Sequence, residues 1–246
     1  MRRLGLLCLA FSGCTSAPPT PAPSPVPPAA PAEPRLARAA DAQPAPARAA
    51  PASAPPAVRP RPHPENATLQ PPPHYEAAVE TSVGKFVIRV DSNQAPHGAH
   101  RFYNLAMLGY YDNATFYRAI AGFMVQFGVH GDPEVNRLWK SATISDDPVT
   151  TSNLRGTVVF AKTSQPDTAT TQLFINLADN PQLDTMGFTP IGHVVEGMDI
   201  VDQIYTGYGE GGPRGRGPSQ GKLSTDGEAY LAEFPLLTRI ISMSVR

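Results

Sequence analysis

Proline is spread unevenly, and this decides what each part of the chain can become. Residues 15–73 hold 20 of the 29 prolines together with 17 alanines, whereas residues 74–246 hold only nine prolines. Proline fixes φ and removes a backbone donor, so the first stretch favours extended polyproline II without a core. It reads as a disordered Pro/Ala-rich linker over 15–73. The 173 residues from 74 to 246 are enough for one domain that buries most of its unfolded surface without metals or disulfides. That domain carries 13 basic and 18 acidic residues, a net charge of −5. A nucleic-acid binder needs a basic face to neutralise phosphates, so no nucleic-acid partner is expected. No apolar run approaches the ~20 residues of a membrane-spanning helix.

Residues 1–14 read as an address. Arg2 and Arg3 form a basic start, residues 4–11 (LGLLCLAF) are apolar, and Ser12 and Gly13 are small residues before Cys14. This is the pattern of a secretory signal. Its end resembles a bacterial lipobox, which implies lipidation at Cys14 and an outer-membrane-anchored protein facing the periplasm; otherwise the protein is expected to be soluble in the periplasm. The only other cysteine, Cys8, lies in the apolar run. The domain therefore has no thiolate nucleophile and no Cys-ligated metal, and neither cofactor nor metal is expected.

From residue 74 the hydrophobic period is 2. Tyr75, Ala77, Val79 and Thr81 alternate with their neighbours, as do Phe86, Ile88 and Val90, around Val83 and Gly84. This predicts a β-hairpin. Ala99, Phe102, Tyr103 and Ala106 fall at helical spacing after Pro96, which predicts an amphipathic helix over 96–108. Short strands are expected at 115–120, 123–128, 157–161, 173–177, 190–195 and 236–245. A short helix is expected after Asp132 and Pro133, and a second amphipathic segment at 198–205. Residues 207–221 hold seven glycines and read as a long loop. Short strands with two helices suggest a closed antiparallel barrel, its ends covered by the helices.

Three patterns look chemical and are read as structural. Gly207, Gly209 and Gly212 match a dinucleotide-binding spacing, but no strand precedes them and no helix follows directly. His97 and His100 share a helix face without a third ligand at useful spacing. Asp146 and Asp147 precede a proline and read as a polar turn.

The run FYRAIAGFMVQFG at 116–128 is different. Alternation in its second strand places Met124 and Gln126 on one face, opposite Phe123, Val125 and Phe127, and Arg118 points away from Tyr117. One face thus offers a guanidinium, a thioether and an amide. The run resembles the cyclophilin pattern F-H-R-(I/V)-I-x-G-F-M-x-Q-G-G. Three further segments resemble cyclophilin motifs in the same order: GTVVFAK at 156–162 with TQLFI at 171–175, Leu183 with Asp184, and IGHVVEGMDIV at 191–201. The chain is similar to cyclophilin-type peptidyl-prolyl cis–trans isomerases over about 77–204.

The resemblance implies a closed eight-stranded antiparallel β-barrel capped by two α-helices, a mainly β fold. It implies isomerisation of X-Pro bonds in proline-containing polypeptides, here exported ones, by a monomer. Arg118 matches the catalytic arginine. Phe123, Met124, Phe174 and Leu183 match the walls of the proline pocket, with Phe188 near a further pocket position usually held by His. Gln126 and Gln172 match groups that hold the substrate backbone. Ala161, Lys162 and Thr163 match the strand edge along which the peptide lies. The chain departs from the pattern at Tyr117, where His is usual, at Phe127, where Gly is usual, and at Gln182, where cyclosporin-sensitive members carry Trp. The alternative is a proline-peptide binding module or chaperone without turnover, for which an arginine at 118 is unnecessary.

Overall fold

The computed structural model describes residues 61–246. The expected leader over 1–14, with Cys14, and most of the expected 15–73 linker lie outside the described residues.

Strand β1 (His74–Thr81) and strand β2 (Gly84–Asp91) form the expected hairpin, with Thr81 paired to Gly84 across the turn. Tyr75, Ala77, Val79 and Thr81 are buried on one face of β1, as the period-2 pattern requires. Helix α1 (Pro96–Met107) buries Ala99, Phe102, Leu105 and Ala106 against the sheet. Strands β3 (Arg118–Ile120) and β4 (Met124–Phe127) follow, joined through Gly122 at φ +70°. Helix α2 (Pro133–Trp139) starts at an Asp132 cap with Pro at its first position, as expected. Strands β5 (Thr157–Phe160), β6 (Leu173–Asn176) and β7 (Pro190–Glu196) precede a single helical turn, α3 (Met198–Val201). Two short helices, α4 (Gln220–Asp226) and α5 (Glu228–Leu231), lead into strand β8 (Ile240–Val245).

The eight strands form one antiparallel sheet in the order β3-β4-β6-β5-β7-β2-β1-β8. The expected closed barrel is corrected here to an open half-barrel. Strands β3 and β8 are not laddered to each other. An isolated bridge, Thr115 to Arg239, joins the segments that precede them. The physical reason lies at β3: it is three residues long, β4 takes one of its edges and a bridge from Ala119 to Gly209 takes the other. The 198–205 segment is likewise shorter than expected, and α4 and α5 lie where no helix was expected. Gly227 splits their apolar residues Leu223 and Leu231, so no single helical period runs through them.

Within the described residues the proline-rich stretch does not end free of the domain. Trp139 Nε1 donates to the Pro62 carbonyl at 3.0 Å. Leu69 N–H donates to Asn104 Oδ1 at 2.9 Å and its carbonyl accepts from Asn104 Nδ2 at 2.8 Å. Arg61 pairs with Asp132. Packing against the domain thus begins by residue 61, ahead of the expected start at 74, because Trp139 and Asn104 supply the partners that proline-rich backbone lacks.

Asp147 shows what the acidic pair does. Ala95 at the start of α1 offers no capping side chain. Asp147 reaches in from fifty residues away and accepts from the N–H groups of His97 (3.1 Å) and Gly98 (2.8 Å). Helix N-termini carry unsatisfied donors and partial positive charge, so a carboxylate there is stabilising. We predict that Asp147→Ala lowers unfolding free energy by about 1–2 kcal/mol. An unchanged urea midpoint would contradict this role.

Candidate functional site

Strand alternation builds the site. The pairings Ala119–Val125, Val125–Ile175 and Ile175–Val158 form one cross-strand row, and all four side chains enter the main core. The adjacent row runs Arg118–Gln126–Phe174–Val159 and points to the opposite face. Met124 lies beside it, opposite Ile120 and Asn176. Met124, Val159, Phe174 and Leu183 form a second apolar cluster, with Ile120, Phe123, Ala161 and Phe188 packed against it. The same alternation that fills the core therefore directs a guanidinium and a buried amide toward an apolar pocket.

A cavity of about 390 Å³ opens there. It is lined by Arg118, Phe123, Met124, Gln126, Ala161, Lys162, Phe174, Leu183 and Phe188, nine of the eleven residues expected around a substrate. The other two, Thr163 and Gln172, line a neighbouring groove with Thr168, Thr170 and Thr171. Gln172 still bridges the two, since its Oε1 accepts from Gln126 Nε2 at 3.2 Å and from the Tyr117 hydroxyl. Gln182 is exposed and lines neither space.

The pocket walls are held by a buried amide network. Asn180 Nδ2 donates to the Phe123 carbonyl at 3.0 Å, and its own carbonyl accepts from the Leu183 N–H at 3.0 Å. Asn153 Nδ2 donates to the Phe188 carbonyl at 2.8 Å and to Asp184 Oδ1 at 2.7 Å. These bonds to Asn153, together with one from Ser152, lower the Asp184 pKa, the Ser152 bond first. Asn176 Nδ2 joins Asn153 to Thr157. These asparagines carry no pattern a single sequence reveals. Phe188 packs edge-on against Phe174 with centroids 5.8 Å apart. Lys162, paired with Asp146, sits 5.7 Å over the Phe188 ring.

Arg118 is gripped from two sides. Its Nη1 donates to Gln126 Oε1 at 3.1 Å and lies 3.9 Å from the Met124 sulfur. Its Nε and Nη2 donate to the two oxygens of Glu210 at 2.6 and 2.7 Å. The Arg118 bonds hold the Glu210 pKa below the usual carboxylate range. Arginine has five N–H donors, and the bonds to Gln126 and Glu210 engage three. Glu210, like Pro213 and Arg214, belongs to the glycine-rich loop and lines the same cavity. Sequence reasoning passed over all three.

The departures at 117 and 127 have local causes. Tyr117 is buried, which pushes its hydroxyl pKa up. It packs with Val129, Leu223 and Leu231, so it anchors the α4–α5 segment. Phe127 enters the main core beside Tyr111 and Phe116. Gly128 keeps φ at +103°, and a Cβ there would meet the Thr171 carbonyl at 2.4 Å, so glycine is required at this one position of the pair.

Residues 77–220 match the family model of cyclophilin type peptidyl-prolyl cis-trans isomerases. A peptidyl-prolyl cis-trans isomerase A of Dickeya dadantii is 36% identical over 128 residues, covering 50% of this chain and 67% of that protein. A peptidyl-prolyl cis-trans isomerase B of Escherichia coli is 34% identical over 131 residues, covering 50% of this chain and 80% of its own. The crystal structure of a cyclophilin type isomerase of Cryptosporidium parvum superposes with a TM-score of 0.53 at 18% identity. It covers 70% of this chain and 98% of that one. The family model spans more than half of the 246 residues, and the fold agrees with it. The chain belongs to the cyclophilin-type peptidyl-prolyl cis–trans isomerases.

Proposed function

We propose that this cyclophilin-type isomerase accelerates X-Pro rotation in the cavity rimmed by Arg118, with Arg118 as its catalytic residue. The observation that carries the reading is the row Arg118–Gln126–Phe174, which sets a fixed cation at the edge of an apolar pocket.

Amide resonance makes the X-Pro barrier ~18–20 kcal/mol, and the uncatalysed exchange takes tens to hundreds of seconds. Rotation breaks no covalent bond and needs no nucleophile. At the twisted state the proline nitrogen loses conjugation, becomes pyramidal and gains a lone pair. A donor aimed at it stabilises that state over either planar one, which is the requirement for catalysis. Arg118 suits the task because its donors form a rigid fork. Phe123, Met124, Phe174 and Leu183 grip the ring and keep water away. Gln126 and Gln172 hold the peptide backbone, and the peptide lies along Ala161, Lys162 and Thr163. A barrier lowered by about 5.4 kcal/mol corresponds to about 10⁴-fold.

The test is a prolyl isomerisation assay on an Ala-Pro peptide with the full chain. Catalysis above the spontaneous rate supports the reading, and binding without acceleration overturns it in favour of a binding module. The clients we propose are exported polypeptides, met in the cell envelope by a chain anchored through Cys14. Support for this is the basic, apolar and small-residue order of residues 1–14. Labelling cells with an alkyne fatty acid tests it: the label is expected on the wild-type chain and lost in Cys14→Ser. Equal labelling of both would contradict the anchor.

A further inference from the structure

The glycine-rich loop is bound to the site by defined backbone contacts. Gly209 forms an antiparallel bridge with Ala119 on β3. In that register the next loop residue, Glu210, falls opposite Arg118, which on its other side pairs with Gln126. Arg118 is thus the middle of a row of three, and its bidentate contact with Glu210 follows from the backbone rather than from a chance surface encounter. The loop is folded to hold this place. Glu210 carbonyl accepts from Gly217 N–H, Gly212 N–H donates to Gly217 carbonyl, and Gly215 N–H donates to Gly211 carbonyl. A Cβ at Gly215 would lie 2.1 Å from the Glu210 carbonyl, so the fold of the loop excludes a side chain there. Glu210 Oε1 also accepts from Gly211 N–H at 2.9 Å, which fixes the carboxylate as well as the backbone.

We propose that Glu210 is a positioning residue of the isomerase site: its carboxylate fixes the Arg118 fork so that the N–H groups left over meet the twisted prolyl bond. The inference rests on the reading of Arg118 as the catalytic group. A long arginine side chain loses rotamer freedom when it is fixed, and a bidentate carboxylate supplies that ordering before substrate arrives. Because the fork is already set, the ordering cost does not fall on the transition state. Both side chains are about a quarter exposed (26% and 28%), so the pair is solvated at its outer edge. Its contribution to fold stability is therefore small, and the effect falls on turnover.

The experiment compares wild type, Glu210→Ala, Glu210→Gln, Arg118→Ala and the double Arg118→Ala/Glu210→Ala variant, all as full chains, on an Ala-Pro peptide. Glu210→Ala is expected to lower kcat roughly 10-fold, within the range that misplacement of a catalytic group produces, with KM changed less than 2-fold. Glu210→Gln keeps an acceptor for one N–H and is expected to recover part of the loss. In the Arg118→Ala background the second substitution should change nothing. The Arg118 Nε–H signal in side-chain NMR should be protected from solvent exchange in wild type and lose that protection in Glu210→Ala. If Arg118→Ala is inactive and Glu210→Ala is as fast as wild type, the positioning inference fails alone. Faster turnover in Glu210→Ala would also overturn it, because the carboxylate would then be competing with substrate. If Arg118→Ala itself retains activity, the reading of the site fails first.

Discussion

Arg118→Ala is expected to lower isomerase activity by at least ~10²-fold, the usual loss when one preorganised transition-state donor is removed. The magnitude follows from the proposed mechanism, in which Gln126 and the apolar walls would still bind a planar prolyl peptide but no remaining group would favour its twisted form. The loss should therefore appear in kcat, with KM little altered. Stability should hardly move. The variant removes a partly solvated pair with Glu210 and one bond to Gln126, both at the rim of the cavity, and exposed pairs contribute little. A variant that keeps more than half of wild-type activity would remove Arg118 from the chemistry.

The largest expected effect on stability lies at Trp139. Its side chain is 1% exposed, meets the Tyr110 ring edge-on at 5.6 Å and lies under the Arg101 guanidinium at 5.2 Å. Its indole N–H holds the Pro62 carbonyl. Trp139→Ala should cost about 3–5 kcal/mol, the range for deleting a buried large aromatic. For a domain of this size that lowers the melting temperature by on the order of 10 °C. Trp139→Phe keeps much of the ring contact and loses the bond to Pro62, so its cost should be about 1–2 kcal/mol. Calorimetry on the three proteins checks both numbers. Equal melting of wild type and Trp139→Ala would mean that α2 and the segment around Pro62 are not part of the cooperative unit.

These residues also mark how far a single sequence reaches. The period-2 runs locate the β1–β2 hairpin, because alternation is a local property, and the placing of Arg118 with Gln126 follows from it; the other strands follow from short apolar runs. Alternation alone brings Arg118, Met124 and Gln126 together; the other six expected residues of the cavity come from the resemblance to the cyclophilin motifs. Closure of the barrel was not legible, since the outer edge of β3 is taken by Gly209 from a distant loop. Neither was the cap on α1, which Asp147 supplies across fifty residues, nor the amide network of Asn153, Asn176 and Asn180. Glu210 is the clearest case. Its bond to Arg118 spans 92 residues and depends on the Ala119–Gly209 bridge, so no spacing rule could bring the two together. The glycines around it read as a loop, and the loop is what carries the carboxylate to the site.

The most direct measurement of the central claim is exchange NMR on an Ala-Pro peptide with a sub-stoichiometric amount of the full chain. Catalysed rotation in this cavity predicts cis–trans exchange cross-peaks absent from the free peptide and absent again with Arg118→Ala. It also predicts that peptide-induced shifts in the protein centre on Phe123, Met124, Phe174 and Leu183. Peptide-induced shifts at those residues without any exchange peaks would contradict it, leaving a pocket that binds proline and does not turn it.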